Sequence, residues 1–377
     1  MSSADLNRVA VVSSAQTQLR ESWSGVQHVD LIFAAVTDAL RGTGLGISDV
    51  DVVIDCGSDV LDGRSISNCG FLGAMGAHHK EESRVEEDGL WGAAYAMNKI
   101  AAGEAKVALV VAYSKPSESD VRAYYTSITE PFYQRPVGLD QFAAAGLMAN
   151  QYLSATGLDE DVLLDVAAYD WARAAANTWV QTPEAVDRAA LSAAEIVAEP
   201  LRRPQIARPL DGAVAVLLAE EQVARRVCDR PVWLTGAGSA IDAHMFAERT
   251  PGRLDACAAA AATAYRRAGV TDPTSFDIAE VSADSAAGEL MILEALGLAE
   301  QGKAYALYAE SSPVSINPSG GALPADPIMA TGLVRLSEAA FQLSGRVDRG
   351  NAGARSAVVH GSGGLAMQNH CVFTLEV

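Results

Sequence analysis

One stretch near the amino terminus returns in the second half of the chain. Asp30, Ala34, Ala35, Ala39 and Gly44 match Asp255, Ala259, Ala260, Ala264 and Gly269 at a constant offset of 225. After one inserted residue, Asp51-Val52-Val53-Ile54 matches Asp277-Ile278-Ala279-Glu280. Matches between alanines carry little weight in so alanine-rich a chain. The weight lies in the order, because strand, helix and turn recur in the same succession. With 377 residues the chain is long enough for two such units, each with its own core.

The elements of the repeat are those of an α/β protein. Val9-Ala10-Val11-Val12 is a short β-branched run that reads as a buried strand. From Val29 to Arg41, Leu31, Ile32, Ala35, Ala39 and Leu40 fall at helical spacing, and Gly42, Gly44 and Gly46 close the helix. A second strand, Val50 to Ile54, a helix from Gly89 to Ala102 and a third strand, Lys106 to Tyr113, continue the alternation. Strands alternating with helices of this length predict parallel βαβ units and a sheet covered on both faces. The second half opens with a strand at Val232 to Thr235, and residues 120–226 read as mostly helical. The expected organisation is 1–119 with 227–253 as a first half carrying a boundary strand, 120–226 as an insertion, and 254–377 as a second half.

Charge and cysteine content narrow the function classes. With 28 basic and 47 acidic residues the net charge is 28 − 47 = −19, which argues against nucleic acid or an anionic membrane as partner. The longest strongly apolar run, Val107 to Ala112, is too short to span a bilayer, and without a charged start followed by a hydrophobic core no secretory leader is expected. A soluble, cytoplasmic protein is expected. Cys56, Cys69, Cys228, Cys257 and Cys371 are scattered without a Cys-x-x-Cys pair, so neither a disulfide framework nor a zinc site is indicated, and no metal is expected. His78-His79, near Glu81 and Glu82, is explained by a solvated loop without any ion.

Three further stretches bear on ligands. Arg202, Arg203 and Arg208, near Pro204 and Pro209, form a basic patch that suits phosphate or ion pairs with the abundant acids. The aromatic segment with Tyr124, Tyr125, Phe132 and Tyr133 suits the wall of an acyl pocket, a subunit interface or an anchored surface loop. Gly236-Ala237-Gly238 follows a strand like a dinucleotide fingerprint, but lacks the third glycine and the helix that phosphate binding requires.

The most informative stretch for function is Asn317 to Gly332, a glycine- and proline-rich loop feeding a helix at Leu333 to Leu343. Gly320 and Gly321 permit close approach of backbone N–H groups to a ligand, and Pro324 and Pro327 stiffen the chain around Asp326. This loop resembles that of the thiolase superfamily, specifically its sterol-carrier or lipid-transfer branch. There Asn-Pro-Ser-Gly-Gly is followed by a Gly-His-Pro triplet, Gly-Ala-Thr-Gly and a helix. Leu210-Asp211-Gly212-Ala213, the helix from Glu289 to Leu298 and His360-Gly-Ser-Gly-Gly364 resemble further landmarks in the same order. The resemblance implies a thiolase-like fold of two βαβαβ halves in a layered α-β-α-β-α arrangement, usually dimeric.

Residue by residue, the family's catalytic set is replaced. Glu86-Glu87-Asp88-Gly89 stands where the nucleophilic Cys-Ala-Ser-Gly would open a helix. Ser282 stands for the histidine of His-Asp-Cys-Phe, and Asp326 for that of Gly-His-Pro. Thiolysis needs a thiolate to carry the acyl group, and a carboxylate is a far weaker nucleophile toward a thioester. Cys69 lies upstream of that helix and is no substitute.

Two expectations follow from the resemblance. One is a subunit that binds acyl-coenzyme A or a similar thioester without thiolase chemistry, as a homodimer or with a thiolase homologue. The other is a carbon–carbon bond-cleaving or -forming enzyme of the retro-aldolase or acyltransferase type, using Glu86 and Asp326 as an acid–base pair and accompanied, as in the branch's aldolases, by a small OB-fold partner. Candidate catalytic residues are Glu86, Asp326, His360 and Ser282, and candidate ligand-binding residues are Asn317, Gly320, Gly321, Gly363 and Gly364. No cofactor is required beyond the thioester itself.

Overall fold

The structure is a computed structural model and describes residues 7–182, 187–350 and 353–377. The first half runs β1 (Val9–Gln16), α1 (His28–Leu40), β2 (Val52–Cys56), α2 (Asp59–Asp62), β3 (Glu81–Val85), α3 (Gly89–Ala101) and β4 (Val107–Ser114). Four helices follow, α4 (Val121–Ile128), α5 (Gln141–Thr156), α6 (Asp161–Ala175) and α7 (Arg188–Ala193), then a short hairpin of β5 (Ile196–Ala198) and β6 (Leu201–Arg202). The chain returns to the sheet as β7 (Gly212–Glu220) and leaves through α8 (Glu221–Val227). The second half is β8 (Val232–Ile241), α9 (Asp255–Ala268), β9 (Ile278–Glu280), α10 (Ala286–Ala295), β10 (Ser315–Ile316), α11 (Thr331–Ser344), β11 (Ser356–Gly363) and β12 (Asn369–Glu376).

Strand order makes the duplication explicit. One half reads β1-β7-β4-β2-β3 and the other β8-β12-β11-β9-β10. Directions agree step by step. β1/β7 and β7/β4 are antiparallel, as are β8/β12 and β12/β11, whereas β4/β2, β2/β3, β11/β9 and β9/β10 are parallel. The repeated helices α1 and α9 occupy equivalent places, and β2 and β9 begin at Val52 and Ile278, the matched pair of the sequence repeat. A short antiparallel pairing of β1 with β8, at Val9 to Val11, joins the two sheets.

Alternation within the strands sorts the core into layers. Val52, Ile54, Ala108, Val110, Val214 and Val216 face inward against α3 and α11, which also meet Ala357, Val359, Cys371 and Phe373 of the second sheet. Val53, Leu109, Val111 and Leu217 face the other way, under α1 and α8. On the far side of the second sheet α9 and α10 pack with α5 and α6. The succession is α-β-α-β-α, with α3 and α11 as the buried central layer.

Two expectations about organisation differ from this arrangement. Residues 227–253 contain β8, which pairs with β12 along its whole length, so this stretch belongs with the second half. The insertion expected at 120–226 ends in β7, a fully paired strand lying between β1 and β4. Its sequence, Gly-Ala-Val-Ala-Val-Leu-Leu-Ala-Glu, is apolar on both faces and lacks the alternation that distinguishes a strand from a buried helix. The polar edge strand β3, Glu81–Val85, carries no apolar run and lies outside the strands expected from the sequence. Among the described residues no helix is long and apolar enough to cross a membrane.

Candidate functional site

Between α4, α5, α6 and the loops at one end of the second sheet lies a cavity of about 530 Å³. Tyr124 and Tyr125 of α4 form one wall. Ser282, Ala283 and Asp284, from the loop between β9 and α10, and Asp326 from the loop before α11 form the opposite wall. Ser362, Gly363 and Gly364, at the turn from β11 to β12, close the end, and Arg122, Arg203 and Arg208 also line the space. No cysteine and no histidine is among the lining residues.

Asp284 and Asp326 are held through their backbones by one segment threaded between them. The N–H of Ala207 donates to the carbonyl of Asp284 at 2.9 Å, and that of Leu210 donates to the carbonyl of Asp326 at 3.0 Å. The N–H of Asp326 in turn donates to the carbonyl of Arg208 at 2.9 Å. Burial pushes the Asp326 carboxyl up to about 6, helped by the charge of Asp284 and opposed by the Thr331 hydroxyl that donates to it. Burial likewise pushes Asp284 up to about 6, against a hydrogen bond from the Ser285 hydroxyl and the charge of Arg249. Two carboxyls near 6 beside one cavity can divide proton donation and acceptance between them near neutrality.

The arginines carry one end of the pocket. The Arg208 guanidinium lies over Trp171 at 5.1 Å from the ring centroid, donates to the carbonyl of Pro324 at 3.1 Å and meets Glu21 at 3.6 Å. Arg203 lies over Phe142 at 4.7 Å from its centroid, and Arg122 pairs with Asp140 at 2.7 Å. Stacking of this kind fixes a guanidinium plane while leaving donors free for a phosphate.

The structure brings together Asp326, Ser282, Gly363 and Gly364 from the expected set, and separates the others from them. Glu86 is turned away from the cavity. Its carboxylate is nearly half exposed (48%) and pairs with Arg84 at 3.1 Å, and it accepts the Asp59 N–H at 2.5 Å. Arg84 also holds Asp55 and Asp59, so Glu86 completes an ion-pair group at the end of β3, and the expected Glu86–Asp326 pair is not formed. Its place is taken by Asp284, two residues beyond Ser282.

The remaining candidates are structural in position. Asn317 is buried and accepts the Val281 N–H at 2.8 Å. A methyl group at Gly320, where φ is 102°, would come within 2.6 Å of the Ala174 side chain on α6, so this glycine serves close packing rather than ligand approach. Gly321, at φ 68°, abuts Asn317 and Asp170 in the same way. His360 is buried on β11 facing His370 and does not line the cavity. Of the aromatic segment, Tyr124 and Tyr125 wall the cavity, whereas Phe132 and Tyr133 are 79% and 72% exposed. Asp284 was visible in the Ser282-Ala283-Asp284-Ser285 string, where only the position of the missing histidine drew attention.

Two duplicated βαβ halves enclosing paired central helices, with the cavity at the ends of their strands, define a thiolase-fold protein. Residues 238–376 match the family described as Thiolase C-terminal domain-like. An acetyl-CoA acetyltransferase of Methanothermobacter thermautotrophicus is 24% identical over 94% of this chain and 96% of its own length. Sterol carrier protein 2 of Oryctolagus cuniculus is 31% identical over 42% of this chain and 31% of its own length. Among solved structures, one titled "Ltp2-ChsH2(DUF35) aldolase" superposes with a TM-score of 0.83 at 19% identity, covering 99% of this chain and 98% of that one. A monomeric SCP2-thiolase-like protein of Mycobacterium smegmatis gives 0.75 at 18% identity, covering 98% and 76%. These likenesses support a place for the chain in the thiolase superfamily, on its sterol-carrier-protein thiolase branch.

Proposed function

We propose that this chain binds an acyl thioester of the coenzyme A kind and, with Asp284 and Asp326 as proton-transfer pair, breaks or forms the carbon–carbon bond of a β-hydroxyacyl chain. The observation that carries the reading is the placement of two buried carboxyls, both pushed up to about 6, on the wall of a cavity lined by no cysteine or histidine. In the cleavage direction one carboxylate takes the proton of the β-hydroxyl. The Cα–Cβ bond breaks as the C–O bond becomes a carbonyl, and the electron pair passes to the thioester enolate. The other carboxyl then protonates the α-carbon. Gly363 and Gly364 line the cavity, and their backbone N–H groups are the candidates to hold the enolate oxygen. The cavity volume, about 530 Å³, lies in the range of small-molecule sites.

The solved aldolase is titled with a second, DUF35 component, which supports a small partner for this chain as well. A second reading, a thioester-binding subunit without turnover, draws on Glu86 and Asp88, whose carboxylates are engaged in structural bonds. The test is to purify the chain from its own cytosol with whatever accompanies it, and to assay β-hydroxyacyl-coenzyme A cleavage by product carbonyl. Asp284→Asn and Asp326→Asn should each lower kcat by about 100-fold or more with binding retained, and Glu86→Gln should leave it unchanged. A complex that binds the thioesters but cleaves none of them, or one whose rate survives both aspartate substitutions, would overturn the carboxylate mechanism.

A further inference from the structure

One layer behind the cavity wall, three metal-binding side chains converge in a core that is otherwise aliphatic. His360 on β11, His370 on β12 and Cys257 in the first turn of α9 are all fully buried, packed among Val358, Val372, Ala260 and Ala286. A ligating atom of each lies within 4.8 Å of those of the other two. Nε2 of His360 and Nδ1 of His370 share a hydrogen bond at 2.9 Å. On the far side of its ring Nδ1 of His360 has no partner, whereas the His370 ring also meets the backbone of Met367. Two neutral imidazoles bring two N–H donors and two lone pairs, so the shared bond and the Met367 contact still leave one lone pair, on His360, without a partner. A buried nitrogen without a partner is rare, and an ion held together with Cys257 would engage it.

We propose that Cys257, His360 and His370 form a closed site for a single copper(I) ion. The donor set is one thiolate and two imidazoles, a soft combination that suits copper(I) and zinc. Charge decides between them. A thiolate and a monovalent ion sum to zero, whereas a divalent ion leaves one net positive charge in the core. That charge would be opposed by Arg249, whose guanidinium is fixed four residues before His370 by donation to the carbonyl of Ala366 at 2.8 Å. Copper(I) also accepts three ligands without a water, which matches three donors with no exposure. Three ligands at about 2.0–2.3 Å from one ion lie roughly 3.5–4.0 Å apart, so the histidine nitrogens that share the 2.9 Å bond would part slightly and the thiol would move inward by about 1 Å. The bound ion would tie α9 to the β11–β12 hairpin directly behind Ser362 and Met367 of the cavity.

The experiment uses full-length protein carrying Cys69→Ser and Cys228→Ser, which removes the two thiols that are not buried. It is produced in medium supplemented with both copper and zinc, so that loading occurs as the chain folds. Metal content is measured by mass spectrometry, and the coordination shell by X-ray absorption at the copper edge. The expected result is one copper per chain with a mixed sulfur and nitrogen shell, falling by about tenfold or more in Cys257→Ser and in His370→Gln. Should those variants fail to fold, the absorption spectrum of the parent protein decides by itself. Absence of copper, copper retained by folded Cys257→Ser, an all-sulfur shell or zinc in its place would each overturn the proposal.

Discussion

The carboxylate of Asp88 accepts the backbone N–H of Gly332 at 2.8 Å across 244 residues of sequence, while its other oxygen accepts the N–H of Leu90 at 2.8 Å. One buried side chain thus caps α3 and also takes a hydrogen bond from the start of α11, the two duplicated helices of the central layer. Burial pushes this carboxyl well above the usual range, and the two N–H donors act in the opposite direction. In a resemblance that places a catalytic nucleophile here, the acidic triplet becomes a structural clasp.

Asp88→Ala leaves two buried N–H groups without acceptors. Loss of an N-cap and of a second buried acceptor together should cost about 2–4 kcal/mol of unfolding free energy. Asp88→Asn should recover little, because its amide presents a donor to one of the two N–H groups. Urea denaturation followed by far-ultraviolet circular dichroism checks both, and a loss below about 1 kcal/mol for Asp88→Ala would show that the clasp is not needed.

Asp326 carries a different signature, in which a buried carboxyl costs stability above its pKa. Its carboxyl rises from 3.8 to about 6 in the folded chain, so between those values the folded state holds a proton that the unfolded state has released. The stability contributed by that group is therefore full below about pH 4 and falls as pH rises through about 6. Asp326→Asn should remove this slope. The variant should be more stable than the parent by up to about 3 kcal/mol at pH 7.5, with the difference closing toward pH 4. Parallel denaturation series at several pH values measure it, and equal stability across the range would argue that the carboxyl is not raised.

Much of the architecture was legible because the repeat is periodic where periodicity is informative. α1 and α9 keep one apolar face each, and β2 and β9 start at the residues the offset of 226 between Val52 and Ile278 predicts. What escaped was apolar on every side, as in β7, or polar at an edge, as in β3. The site was half legible. Asp326, Ser282, Gly363 and Gly364 do meet at one cavity, since loops at strand ends were identified correctly. Glu86 failed because a side chain's direction at the end of a strand depends on its neighbours, here Arg84 at 3.1 Å, and no spacing encodes that. Asn317 and Gly320 failed because a glycine that admits a ligand and a glycine that admits a helix leave the same trace in sequence.

Gly320→Ala tests that last distinction. With φ at 102° and the side chain of Ala174 2.6 Å from the added carbon, the substitution meets both backbone strain and overpacking. A loss of about 2–4 kcal/mol in stability is expected, with thioester affinity unchanged in the protein that remains folded. Calorimetry on the folded fraction separates the two effects. A variant of normal stability that binds weakly would return this loop to the ligand.

Arg203 is the arginine of the cavity with the least structural duty. It is exposed and stacks on Phe142 at 4.7 Å, whereas Arg208 also holds the carbonyl of Pro324. A coenzyme A thioester carries phosphates that a pantetheine thioester of the same acyl chain lacks, so the two ligands report the phosphate contact separately. Arg203→Ala should weaken binding of the coenzyme A ester about 3–10-fold, and more at low salt than at high, because an exposed charge contact is screened. On the proposed reading, affinity for the pantetheine ester should stay within about twofold, since the acyl end would face Tyr125 and the aspartates that line the cavity. Equal weakening of both ligands would mean that Arg203 supports the cavity wall through Phe142, and that the phosphates are held elsewhere.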